Sequence, residues 1–84
     1  MPTVASFYGI VIRMFFLGGE HNPPHFHAYY ADHEAAFDIQ TTERIDGYLP
    51  KRAERLVKEW AGYHTDELLE MWETQRFAKL PPLE

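Results

Sequence analysis

Three histidines within seven residues are the densest source of chemistry in this 84-residue chain. They are His21, His25 and His27 of the segment HNPPHFH. Side chains two apart on a β-strand point to the same side, so His25 and His27 should project together, with His21 folding over them from the preceding loop. Neutral imidazoles are ligands for divalent transition ions. The spacing therefore predicts a zinc or nickel site at His21, His25 and His27.

The same histidines also support an enzymatic interpretation. If two strands pair through a turn from Ala31 to Glu34, His27 lies directly opposite Asp38. His27, oriented by Asp38, would then act as a general base, and Arg13 would stabilise negative charge on a phosphate or carboxylate. Metal-free RNA cleavage fits these roles, with His27, Asp38 and Arg13 as catalytic residues. Whether the protein is an enzyme stays open, because the histidines could equally shape the hairpin around Pro23 and Pro24.

Lysines and arginines form a second feature, on a predicted helix. They are Lys51, Arg52, Arg55 and Lys58. These cations could bind an acidic protein partner or RNA. Glu54 and Glu59 lie four residues from Lys58 and Arg55, however, which also suits a solvated helix face stabilised by internal ion pairs.

The elements that position these residues follow from periodicity. Strands are predicted at residues 8–16, 25–30 and 35–40, with a short fourth around 43–45. From Pro50 the apolar residues recur with helical period up to Gly62, and Thr65 is a credible N-cap for a second helix. The expected fold class is α+β: an antiparallel three- to four-stranded meander followed by two helices packed on one face. One domain should span residues 1–80, with a tail at 81–84.

Composition narrows the classes of function. The chain is 45% hydrophobic, contains no cysteine and carries a formal net charge of −5. A domain of this size buries a thin core, which favours association with a second copy or another protein. The charge argues against nucleic acid other than RNA, and no apolar run approaches the roughly 20 residues of a membrane helix. Without cysteines or a signal peptide, the expected location is the cytoplasm.

The order of several short motifs resembles a known family. They are Phe7-Tyr8-Gly9-Ile10, the HNPPHFH segment, Leu49-Pro50, Arg55-Leu56-Val57, Glu59-Trp60-Ala61 and Glu67-Leu68-Leu69 with Trp72. From about Thr3 to Phe77 the chain resembles the bacterial domain-of-unknown-function family numbered 4160. The resemblance implies a small protein encoded beside another short protein, of the family numbered 2442, in an arrangement like that of toxin–antitoxin pairs. A protein-interaction role in such a two-gene module is the leading expectation, and the resemblance assigns no catalytic residue.

Overall fold

A computed structural model describes residues 3–15 and 23–83 of the chain. Its elements in chain order are β1 (Thr3–Phe7), β2 (Ile10–Arg13), β3 (His25–Tyr30), β4 (His33–Asp38), β5 (Arg44–Gly47), α1 (Lys51–Tyr63) and α2 (Thr65–Thr74). The strands form one five-stranded antiparallel sheet in the order of the chain. The α+β class and the strands-then-helices order are confirmed, with one strand more than predicted.

The additional strand, β1, precedes the segment predicted as the first strand, and a tight turn at the start of that segment connects β1 to β2. Tyr8 and Gly9 have φ values of 51° and 80°, and Phe7 pairs with Ile10 across them. Two successive left-handed residues form the hairpin turn whose twist matches that of the flanking strands. The predicted start of the first strand at Tyr8 was therefore wrong, because an aromatic residue occupies a turn position that asparagine or glycine usually marks.

The turn between β3 and β4 is also shorter than predicted. Tyr30 pairs with His33, so only Ala31 and Asp32 lie between the strands, and Ala31 has a φ of 51°. The pairing consequently shifts by two residues from the expected register. His27 lies opposite Ala36, and Asp38 lies opposite His25. The predicted pairing of His27 with Asp38 was wrong.

A shift of two residues leaves the faces of the sheet unchanged, because side chains alternate with a period of two. Phe26, Ala28 and Phe37 are buried. The ring of Trp60 from α1 packs on this face, 5.6 Å from Phe7 and 6.0 Å from Phe26 between ring centres. The helices therefore cover the face that holds the core.

The ends of the helices differ in one detail from the prediction. Helix α1 begins directly after Pro50, as expected. Thr65, however, is the first residue of α2 rather than its cap, and its hydroxyl donates to the carbonyl oxygen of Ala61 at 3.1 Å. No helix in residues 3–15 or 23–83 is long and apolar enough to cross a membrane.

The segment after α2 packs against the domain. The backbone N–H of Leu80 donates to the carbonyl oxygen of Val4 in β1 at 2.8 Å. The indole Nε1 of Trp60 donates to the carbonyl oxygen of Pro81 at 2.8 Å, and Leu83 is partly buried against the core. Residues 81–83, predicted as a tail, therefore pack on the domain. Pro81 accepts the hydrogen bond of the Trp60 indole.

Two glycines give a matched test of the fold. Gly47 has a φ of 77°, and a Cβ there would overlap the backbone carbonyl oxygen of Glu34. Gly47→Ala should therefore destabilise the protein by about 1–3 kcal/mol in urea unfolding. A Cβ on Gly62, in α1, would have no other atom within 4 Å, so Gly62→Ala should stabilise by up to about 1 kcal/mol. Equal effects of the two substitutions would contradict the β4–β5 packing.

Candidate functional site

The sheet face opposite α1 carries the polar side chains of the central strands. We call it the outer face. Its residues are Val11 and Arg13 in β2, His25, His27 and Tyr29 in β3, Glu34, Ala36 and Asp38 in β4, and Asp46 in β5. None of these side chains belongs to the fully buried core, apart from the small Ala36 at 8% exposure. The outer face is therefore one surface on which the described part of the chain can meet a ligand.

His27 is the centre of this face. Arg13 lies directly opposite it in β2, as the predicted sharing of one face requires. The guanidinium of Arg13 sits 5.4 Å from the centre of the Tyr29 ring. On the other side Ala36 has only a methyl group, and the charge of Asp46 beyond it acts on His27. His27 is thus flanked by a fixed cation and a carboxylate on its own row of the sheet.

Glu34, rather than Asp38, is the carboxylate next to His27. Glu34 Oε2 lies 3.3 Å from His27 Nδ1, without the alignment of a hydrogen bond. Asp38 Oδ1 instead accepts the backbone N–H groups of Gln40 and Thr41 at 2.7 and 3.0 Å. Its role is to hold the turn after β4. The predicted orientation of His27 by Asp38 was wrong, and the two-residue turn is the signal that would have pointed to Glu34.

Aromatic rings fix the orientation of both histidines. The ring centres of His25 and His27 are 5.2 Å apart. Phe15 meets His27 edge-on at 4.5 Å, and Trp72 of α2 lies 5.0 Å from His25. The Nδ1 atom of His25 lies 3.0 Å from the carbonyl oxygen of Pro23, which can only accept, so Nδ1 carries the proton. Four rings in series therefore hold the imidazoles in place.

Burial and neighbouring charges act on the ionisation of this cluster. Burial lowers the pKa of His27, and the nearby His25 lowers it further, while Glu34 and Asp46 oppose the change. His27 is consequently neutral at pH 7. Burial also raises the pKa of Tyr29, an effect that Glu34 reinforces and Arg13 opposes. The outer face thus combines a neutral imidazole with a permanent guanidinium cation.

The predicted metal ligands are only partly within the described structure. His25 and His27 lie together on the outer face, whereas His21 lies outside the described residues. Within residues 3–15 and 23–83 there is no group of three or more potential ligand side chains arranged to hold a metal ion. The three-histidine site therefore stays a prediction.

The basic residues of α1 form a separate surface, which we call the α1 stripe: Lys51, Arg52, Arg55 and Lys58. The first three are exposed and Lys58 is half-buried. Glu54 does not pair with Lys58, because the Nε atom of Arg44 in β5 lies 3.2 Å from its Oε1. Among the described residues none of the four makes an ion pair. The internal pairing that would make the stripe an ordinary solvated face is absent there.

Comparison with known proteins gives a family without an assigned activity. The profile described as "Domain of unknown function (DUF4160)" matches residues 9–73, which is well over half of the chain. The chain belongs to this family, as its motifs indicated. Neither the curated proteins nor the solved structures contain a match.

The contact between Glu34 and His27 predicts that replacing Glu34 changes the pKa of His27, whereas replacing Asp38 does not. Because Glu34 raises the pKa of His27, Glu34→Gln should lower that pKa further, as measured by NMR titration of the imidazole. Asp38→Asn should leave it unchanged. The pKa of His27 is lower in the folded than in the unfolded chain, so the unfolded state binds the proton more readily. Stability should therefore fall as the pH falls through the ordinary value of 6.5. A larger change in the pKa of His27 for Asp38→Asn than for Glu34→Gln would contradict the register between β3 and β4.

Proposed function

We propose that this protein is a cytoplasmic interaction component of a toxin–antitoxin-like two-gene module, and that it binds a small protein encoded nearby through the α1 stripe. The observation that carries the proposal is that the four cations of the stripe have no ion-pair partner among the described residues. They stand on one side of a helix in a chain whose formal net charge is −5. Cations without an ion-pair partner are available to contact an acidic surface.

The chemistry of the partner follows from the charge. Lys51, Arg55 and Lys58 recur at i, i+4 and i+7, so they line one side of α1, away from the buried Val57 and Trp60. Unpaired cations on a rigid helix steer an oppositely charged surface into contact and raise the rate of association. The partner should therefore present an acidic segment. A second copy of this chain is disfavoured at the stripe, because a two-fold contact would place like charges together.

Apolar contact area lies beside the stripe. A shallow pocket between α1 and the turn end of the sheet is lined by Tyr8, Tyr30, Arg52 and Leu56, among others. Tyr8 is 55% exposed. Tyrosine and arginine are the residue types that dominate binding energy in protein interfaces. An acidic segment with one apolar anchor side chain would use both features.

Charge reversal tests the proposal. The double variant Arg52→Glu, Arg55→Glu should weaken binding to the co-expressed neighbouring protein at least tenfold, and the wild-type affinity should fall as salt rises. The double variant Arg76→Glu, Lys79→Glu has the same charge change on residues outside α1 and serves as the control. Binding would be measured by size-exclusion chromatography and calorimetry. An equal loss of affinity in both double variants, or two stable proteins that never co-elute, would contradict the proposal.

The ribonuclease-type alternative has a different site, made of Arg13, His27 and Glu34. A neutral imidazole beside a carboxylate, with a guanidinium on the next strand, supplies a general base and a charge-stabilising group for metal-free phosphodiester cleavage. The acidic Glu34 and Asp46 on the same face count against binding of a polyanion. The alternative predicts growth inhibition and RNA degradation when the protein is expressed without its neighbour, and their loss in His27→Ala. Normal growth with intact RNA would rule out the ribonuclease-type alternative.

A further inference from the structure

We propose that His25 and His27 form a two-imidazole site for a divalent transition ion on the outer face, with Nε2 of each ring as the ligand atom. The inference goes beyond the proposed function, since it concerns the outer face and not the α1 stripe. It rests on the residues the structure describes, and solvent supplies the remaining ligands.

The first observation is that both rings use the other nitrogen, Nδ1, for contacts within the protein. Pro23 holds Nδ1 of His25 through its carbonyl oxygen at 3.0 Å, and Glu34 approaches Nδ1 of His27 at 3.3 Å. Metal-bound histidines almost always have this arrangement, with a carbonyl or a carboxylate on the nitrogen that does not bind the metal. At His25 the hydrogen bond to Pro23 fixes the Nδ1–H tautomer, which leaves Nε2 with a free lone pair. At His27 the nearby Glu34 carboxylate favours the same tautomer through its negative charge.

The second observation is the spacing of the rings. Two imidazoles bound to one tetrahedral ion through bonds of about 2.0–2.1 Å have ring centres roughly 5 Å apart. The ring centres of His25 and His27 are 5.2 Å apart. Because the two residues are separated by one position on β3, the sheet itself maintains this spacing.

The third observation is the framework around the rings. Phe15 and Trp72 pack on the two ends of the pair, so little side-chain freedom remains to be lost when an ion binds. The backbone before β3 is tied down as well, because the carbonyl oxygen of Pro24 accepts the N–H of Ile39 at 2.9 Å. Two carboxylates on the same face, Glu34 and Asp46, favour a cation and outnumber the one opposing guanidinium of Arg13.

Calorimetric titration of the chelator-treated full-length protein with nickel chloride and zinc sulfate tests the site. We expect one equivalent of ion to bind, and His25→Ala and His27→Ala each to weaken binding at least tenfold. Glu34→Gln should weaken it about tenfold by releasing Nδ1 of His27. His33→Ala is the matched control, since His33 packs against Tyr48 away from the pair, and it should bind like the wild type.

Circular dichroism of each variant distinguishes a loss of metal binding from a loss of folding. A variant that fails to fold is replaced by His25→Gln or His27→Gln, which keeps a polar side chain of similar size. Broadening of the amide signals of residues 25–29 by nickel would support the site independently. Absence of binding by the wild type up to millimolar ion, or unchanged binding in His25→Ala and His27→Ala, would overturn the proposal.

Discussion

The register between β3 and β4 is the constraint on which the rest of the structure depends. Ala31 and Asp32 alone connect the strands, so Tyr30 must pair with His33 and every later pair is fixed. Because a slip of one residue would exchange the two faces, this turn decides that Phe26 points to the core while His27 points away from it. The turn thereby places the core side chains of this hairpin on one face of the sheet and its histidines on the other.

The outer face holds two buried polar atoms to which the described residues offer no hydrogen bond. They are Arg13 Nε and His27 Nδ1. An unsatisfied buried polar atom typically costs about 1–3 kcal/mol. The two atoms belong to residues directly opposite each other in neighbouring strands. Departures from otherwise consistent design tend to mark functional sites, and here they coincide with the row that contains His27.

Periodicity was sufficient to predict most of the fold. The alternation in β3 gave the correct faces, and the helical period after Pro50 gave the buried side of α1, where Ala53, Val57, Trp60 and Ala61 lie. The Tyr8-Gly9 turn and the Ala31-Asp32 turn were missed, because Tyr8 and Ala31 adopt left-handed backbone conformations that their residue types rarely take. For the candidate site, the sequence predicted which residues share one face of the sheet but not which of them are in contact. Placing Arg13, His25 and His27 together needs only the period of two, whereas the choice between Asp38 and Glu34 depends on the length of one turn.

The most direct test is the protonation pattern of the two imidazoles in the unliganded protein. A long-range proton–nitrogen NMR correlation spectrum at roughly pH 8, where imidazoles are generally neutral, distinguishes Nδ1–H from Nε2–H. We predict the Nδ1–H tautomer for both His25 and His27, which leaves both Nε2 atoms free on the outer face. An Nε2–H tautomer at either residue would contradict the two-imidazole site.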